Sequence, residues 1–251
     1  MIRNIPNFIT ILNLCCGVLS VIFSIEGYPE LAGLSVFVAA FFDFLDGFFA
    51  RLLKATSEIG KQLDSLADLV SFGIAPAFIA YFMMKTALSV SPSESPENIK
   101  ITEYLYLAST LLIIICSAIR LARFNANDSG KDHFRGLPTP ANAIFYASFP
   151  VLIWAYEGNW YGMSYFMMHT QQILLVVILL LSFLMVSNLP MLSFKFKTYS
   201  INKNLYQFIF IAVSCVLILL ITWRAIPSII IFYILFSFAA WLAKLFGKKA
   251  V

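Results

Sequence analysis

Four aspartates stand between positions 43 and 68 of a chain with only 13 acidic residues in all. Asp43 and Asp46 are three residues apart and Asp64 and Asp68 four apart, so each pair lies on one face of its helix. The intervening "GFFARLLKATSEIGKQL" contains the turn that lets the two pairs meet. Four carboxylates converging at a membrane edge repel one another, and a divalent metal is the simplest compensating partner. All-oxygen ligands favour Mg²⁺ or Mn²⁺ over zinc. Gly47 and Gly60 give the backbone room for close approach, Ala50 keeps the same face small, and Arg51 and Ser57 add a cation and a hydroxyl suited to phosphate. Together these are the groups that binding a diphosphate at a membrane surface demands. Metal would polarise the phosphoryl oxygens, and one carboxylate would remain to take a proton.

The elements that must position these groups are membrane helices. The chain is 61% hydrophobic and 12% charged, with a mean hydropathy of +0.86. Soluble domains carry about twice that charge, so the surface faces lipid. Apolar runs recur near 6–25, 31–50, 66–85, 103–122, 141–156, 171–188, 205–222 and 226–243. They predict an all-α, polytopic bundle of about eight transmembrane helices. The 141–156 run is short and carries Pro150, which a helix packed among others tolerates. The first run has no small-residue cleavage site, which predicts a retained N-terminus. Cys15, Cys16, Cys116 and Cys215 sit inside apolar runs without ligand spacing and read as small buried hydrophobes.

Orientation follows from the cations. With the N-terminus inside, fourteen Lys and Arg collect on the cytoplasmic side, against Lys85, Lys100 and Arg224 outside. Both termini, the aspartate segment and the loop "RLARFNANDSGKDHFRGLPTP" are therefore assigned to the cytoplasm. No boundary separates a soluble domain, so residues 1–251 read as one membrane domain. The basic balance reports orientation, and no nucleic-acid partner is expected.

The pattern D-x2-D-G-x2-A-R-x8-G-x3-D-x3-D, filled by Asp43, Asp46, Gly47, Ala50, Arg51, Gly60, Asp64 and Asp68, resembles the signature of the CDP-alcohol phosphotransferase family at every fixed position. The resemblance implies a metal-dependent enzyme that displaces CMP from a CDP-linked lipid with an alcohol. It implies a two-metal site of Mg²⁺ or Mn²⁺ held by Asp43, Asp46 and Asp64, with Asp68 touching the second metal and acting as general base. Asn7 and Thr10 in "PNFIT" are similar to the family's CDP-lipid element, and Gly47, Arg51 and Ser57 to its nucleotide and diphosphate contacts. The segments "LDSLADLVSFGIAPA" and "RLARFN…FRGLPTPA" resemble the membrane-spanning branch that takes L-serine, which also has archaeal relatives. CDP-diacylglycerol and L-serine as substrates, a homodimer in the bilayer and a prokaryotic plasma membrane are implied with it.

A serine carboxylate calls for an arginine fork. Arg120, Arg123 and Arg135, with Asn125 close by, are the expected acceptor-binding residues, the plain alternative being that these arginines are positive-inside anchors. His133 reads as solvated, and "GLPTP" as a rigid turn or a wall of the acceptor pocket. Two other functions stay open: the same chemistry on glycerol 3-phosphate or an inositol phosphate, and a cation transporter, since intramembrane aspartates also mark ion pathways.

Overall fold

The computed structural model describes residues 4–55, 57–89, 100–126, 136–155, 170–191 and 205–247. The fold is all-helical. The helices are α1 (Ile5–Glu26), α2 (Pro29–Leu52), α3 (Glu58–Leu69), α4 (Ala75–Ala87), α5 (Ile101–Ala108), α6 (Leu111–Ala126), α7 (Thr139–Ala155), α8 (Gln171–Val186), α9 (Leu205–Ile221) and α10 (Ala225–Gly247). A π-helical turn, Val70–Ile74, joins α3 to α4. Each of the eight apolar runs contains described helix. Among the described residues five rods are long and apolar enough to cross a membrane: Ile5–Glu26, Pro29–Leu52, Glu58–Ala87, Ile101–Ala126 and Ala225–Leu242. Gln171–Val186 and Gln207–Ile221 are apolar but shorter.

Packing follows the logic of helices in lipid, where small and polar residues face the interior and large apolar ones face outward. On α1 the buried stripe is Ile9, Thr10, Asn13, Gly17, Ser20 and Ser24, while Phe8, Ile11, Val18, Leu19, Ile22 and Ile25 are exposed. Gly27 ends α1 in the left-handed region at φ 84°, and Pro29 opens α2, so α2 runs back along α1 in the most extensive pairing of the fold. On α2 the stripe is Ala32, Val36 and Ala39, and Asp43 and Asp46 continue the same three-and-four spacing. The stripe that packs α2 into the bundle therefore leads straight into the acidic pair.

Helix α7 is the core helix. Thr139, Asn142, Ala143 and the whole run from Phe145 to Leu152, Pro150 included, are buried. Gly33 of α2 lies so close that a Cβ there would stand 2.5 Å from the Ala147 carbonyl oxygen. At its start, Gly136 adopts φ 73° and donates its N–H to Leu189 O at 2.9 Å, and Leu137 donates to Leu184 O at 3.0 Å. "GLPTP" thus pins the start of α7 to the end of α8.

The π turn has a sequence cause. Pro76 has no N–H, and its ring crowds the carbonyl four residues back. The chain widens there, with Ala75 N–H bonding Val70 O, five residues away. Within the turn Ser71 donates to Asn13 O at 3.0 Å and packs against Gly17, so α1 grips the helix three residues beyond Asp68.

The cysteines correct one expectation. Cys15 and Cys215 are exposed, and Cys16 and Cys116 only half-buried. Cys15 and Cys215 thus face outward, where a thiol is also at ease, whereas Cys16 and Cys116 pack against the core as expected.

Candidate active site

The site forms where α1, α2, α3 and the end of α6 converge. Asp43, Asp64 and Asp68 each offer a carboxylate oxygen, and these oxygens lie within 4.8 Å of one another. Asp43 and Asp68 are within hydrogen-bond reach, and Thr10 reaches the Asp46 carboxylate, which also feels the charge of Asp64. The i, i+3 and i, i+4 spacings do face both pairs inward. They come from the last turns of α2 and from within α3, so the helices themselves, more than the loop between them, fix the carboxylates.

Two carboxylate oxygens, Asp46 Oδ2 and Asp68 Oδ1, are buried without a hydrogen-bond partner among the described residues. A buried carboxylate oxygen left so is costly unless a cation meets it. The donor set is all oxygen and half-buried to buried, which fits a hard divalent cation such as Mg²⁺ or Mn²⁺. Asp46 stands outside the tight trio of oxygens.

Beside the aspartates the backbone opens. A Cβ on Gly47 would meet nothing within 4 Å. No packing need among the described residues holds that position to glycine. Arg51 folds back along α2, its Nε donating to Gly47 O at 2.8 Å. Ser57 caps α3 by accepting from Gly60 N at 3.0 Å, and a Cβ on Gly60 would stand 2.8 Å from Asn7 Oδ1. Gly60 is therefore the contact that lets the Asn7 end of α1 reach the start of α3. Asn7 and Thr10 lie in the first two turns of α1, Gly47, Ala50 and Arg51 toward the end of α2, and Ser57 and Gly60 at the start of α3.

These features, a trio of inward carboxylates flanked by open backbone and a phosphate-suited Arg and Ser, sit within the full signature spacing. The sequence profile of the CDP-alcohol phosphatidyltransferase family matches residues 3–243. The chain belongs to this family. It is 31% identical over 242 residues to a Helicobacter pylori protein named CDP-diacylglycerol–serine O-phosphatidyltransferase, covering 94% of this chain and 90% of that one. A Mycobacterium leprae protein of the same name is 32% identical over 219 residues, which is 84% of this chain. The archaetidylserine synthase of Methanothermobacter thermautotrophicus is 35% identical over 147 residues, 58% of this chain and 57% of that one. The chain spans 65% of the length of the M. leprae relative and 54% of that of a Mycobacterium tuberculosis relative.

The arginines expected to hold an acceptor part company. Arg120 is buried, faces Asp68, and its Nη1 donates to Thr139 Oγ1 at 3.4 Å. Arg123 is exposed, and its Nη1 donates to Val186 O at 2.8 Å, at the end of α8. Asn125 donates to Ser65 Oγ at 2.8 Å, tying the end of α6 to the helix that carries Asp64. Arg135 and His133 lie outside the described residues. The sequence reading missed Thr139. Its signal was the threonine inside "GLPTP", which lies 19 residues beyond its arginine partner.

Proposed function

We propose that this protein transfers the phosphatidyl group of CDP-diacylglycerol to the hydroxyl of L-serine, giving phosphatidylserine and CMP. The observation that carries the reading is the acidic trio facing a buried arginine, in a family member similar along most of its length to serine-using enzymes. Asn7, Thr10, Gly47, Ala50, Arg51, Ser57 and Gly60 bind the CDP-lipid. The space beside Gly47 admits the diphosphate, and Arg51 adds its charge. Asp43, Asp46, Asp64 and Asp68 would hold two Mg²⁺ or Mn²⁺ ions, whose chemistry is to neutralise charge on the diphosphate and the departing CMP.

Arg120, the buried arginine, grips the serine carboxylate, and Asn125 braces the end of α6 against Ser65. Asp68 takes the proton as the serine oxygen forms its bond to the lipid-side phosphorus and the bond to CMP breaks. In this reading both termini and the site are cytoplasmic, eight helices cross a prokaryotic plasma membrane, the acyl chains enter between them, and two copies associate.

Asp68→Asn tests the proton step. It preserves shape but not basicity, and general-base removal costs about 10²–10⁴-fold in rate. CMP release should fall by that much while CDP-lipid binding persists. Full turnover in Asp68→Asn would remove Asp68 from the base role.

A further inference from the structure

Arg120 is the buried cation facing the acidic trio, and a second element holds it besides α7. Tyr233 and Ser237, one turn apart on α10, are 5% and 2% exposed. The Tyr233 phenol is an electrostatic neighbour of the Arg120 guanidinium and a hydrogen-bond partner of the Ser237 hydroxyl. The ring body is clamped from behind: Phe210 of α9 meets it edge-on at 5.8 Å and is itself stacked on Phe232 at 5.6 Å. α10 also packs along α7, which supplies Thr139. A buried tyrosine hydroxyl needs partners, and a buried guanidinium needs acceptors to fix its plane. Here each meets the other's requirement more than a hundred residues beyond the signature.

We propose that Tyr233 and Ser237 are positioning residues that fix the plane of the Arg120 guanidinium against Thr139 and so set the enzyme's affinity for the carboxylate of its acceptor. This rests on the reading that Arg120 grips that carboxylate. The phenol oxygen accepts from the guanidinium and is held in place by its hydrogen bond with Ser237, which leaves the opposite edge of the fork turned to the acceptor beside Asp68. A guanidinium released from the phenol would keep its charge but lose its orientation, and the loss falls on acceptor binding.

Tyr233→Phe is the test, because it removes one oxygen and leaves the ring on Phe210. A hydrogen bond to a charged group corresponds to about a 10-fold change in affinity. The KM for serine should rise by about that factor, with kcat and the KM for CDP-diacylglycerol within about twofold, in a protein that stays folded with a modestly lower unfolding temperature. Ser237→Ala should move the same constant the same way by less. A residue that merely packs would shift stability and all the kinetic constants together. Because Tyr233 acts through Arg120, Tyr233→Phe should add little in an Arg120→Lys background.

An unchanged serine KM in Tyr233→Phe, or a full additive effect in that background, overturns the inference and leaves the acceptor role of Arg120 standing. An unchanged serine KM in Arg120→Lys overturns that role and the inference with it. If the wild-type protein takes another alcohol, the choice of serine falls and the same comparisons are read on that alcohol's KM. Absence of CMP release with every alcohol overturns both.

Discussion

Replacing Gly47 by alanine should leave the protein folded, slightly more stable and poorly active. In an ordinary helix interior, glycine costs about 0.5–1 kcal/mol relative to alanine through backbone entropy. At Gly47 nothing opposes that gain, because the added methyl would meet no atom within 4 Å. For a chain of this size the unfolding temperature should rise by about 1–4 °C. The methyl would stand beside Asp46, in the space the CDP-lipid diphosphate is proposed to enter. A misplacement of about 1 Å at a reacting centre costs up to roughly 100-fold in rate, so kcat/KM for CDP-diacylglycerol should fall by about 10–100-fold. Thermal unfolding in detergent and CMP release, measured on the same preparation, separate the two effects. Wild-type kcat/KM in Gly47→Ala would show that the space is not used. A lowered unfolding temperature would show that the glycine is there for packing.

Gly17→Ala should do the opposite to stability: its Cβ would fall 2.5 Å from Ser71 Oγ and 2.8 Å from Ser71 Cα, prising α1 from the π turn. Overpacking of that kind costs about 1–3 kcal/mol, so the unfolding temperature should drop, and an unchanged value would deny the close approach. Gly136→Ala combines φ 73° with a Cβ 2.5 Å from Met185 O and should be at least as damaging, with thermal unfolding again the readout. Mg²⁺ or Mn²⁺ should raise the unfolding temperature reversibly, by about 2.7 kcal/mol of stability at a hundred times the dissociation constant. Asp43→Asn should abolish that shift, and a shift that survives the substitution would place the ion elsewhere.

The acidic site was legible in the sequence because it is local. Two helical pairs and their flanking small residues lie within 26 positions, and helix periodicity alone turns the carboxylates to one side. Helix positions were legible because lipid demands long apolar runs, and the runs at 6–25 and 31–50 fall within α1 and α2. Local pattern could not reveal how the 103–122 run divides into α5 and α6, or that Pro76 widens the chain into a π turn beyond Asp68. Still less visible were the long-range partners. Arg120 meets Thr139 and Tyr233 from two other helices, and Arg123, equivalent to it in the sequence, bonds the end of α8. These two arginines, one turn apart on α6, end on different partners, and only the tertiary packing says which of them is buried.

The central claim is tested most directly by CMP release from the purified protein in detergent. CDP-diacylglycerol and Mg²⁺ or Mn²⁺ would be supplied with and without L-serine, beside glycerol 3-phosphate and an inositol phosphate. Release that requires both the metal and serine, with phosphatidylserine as the lipid product, is the expected result. Release that ignores serine and follows another alcohol would contradict the choice of acceptor, and no release under any of these conditions would contradict the transferase reading itself.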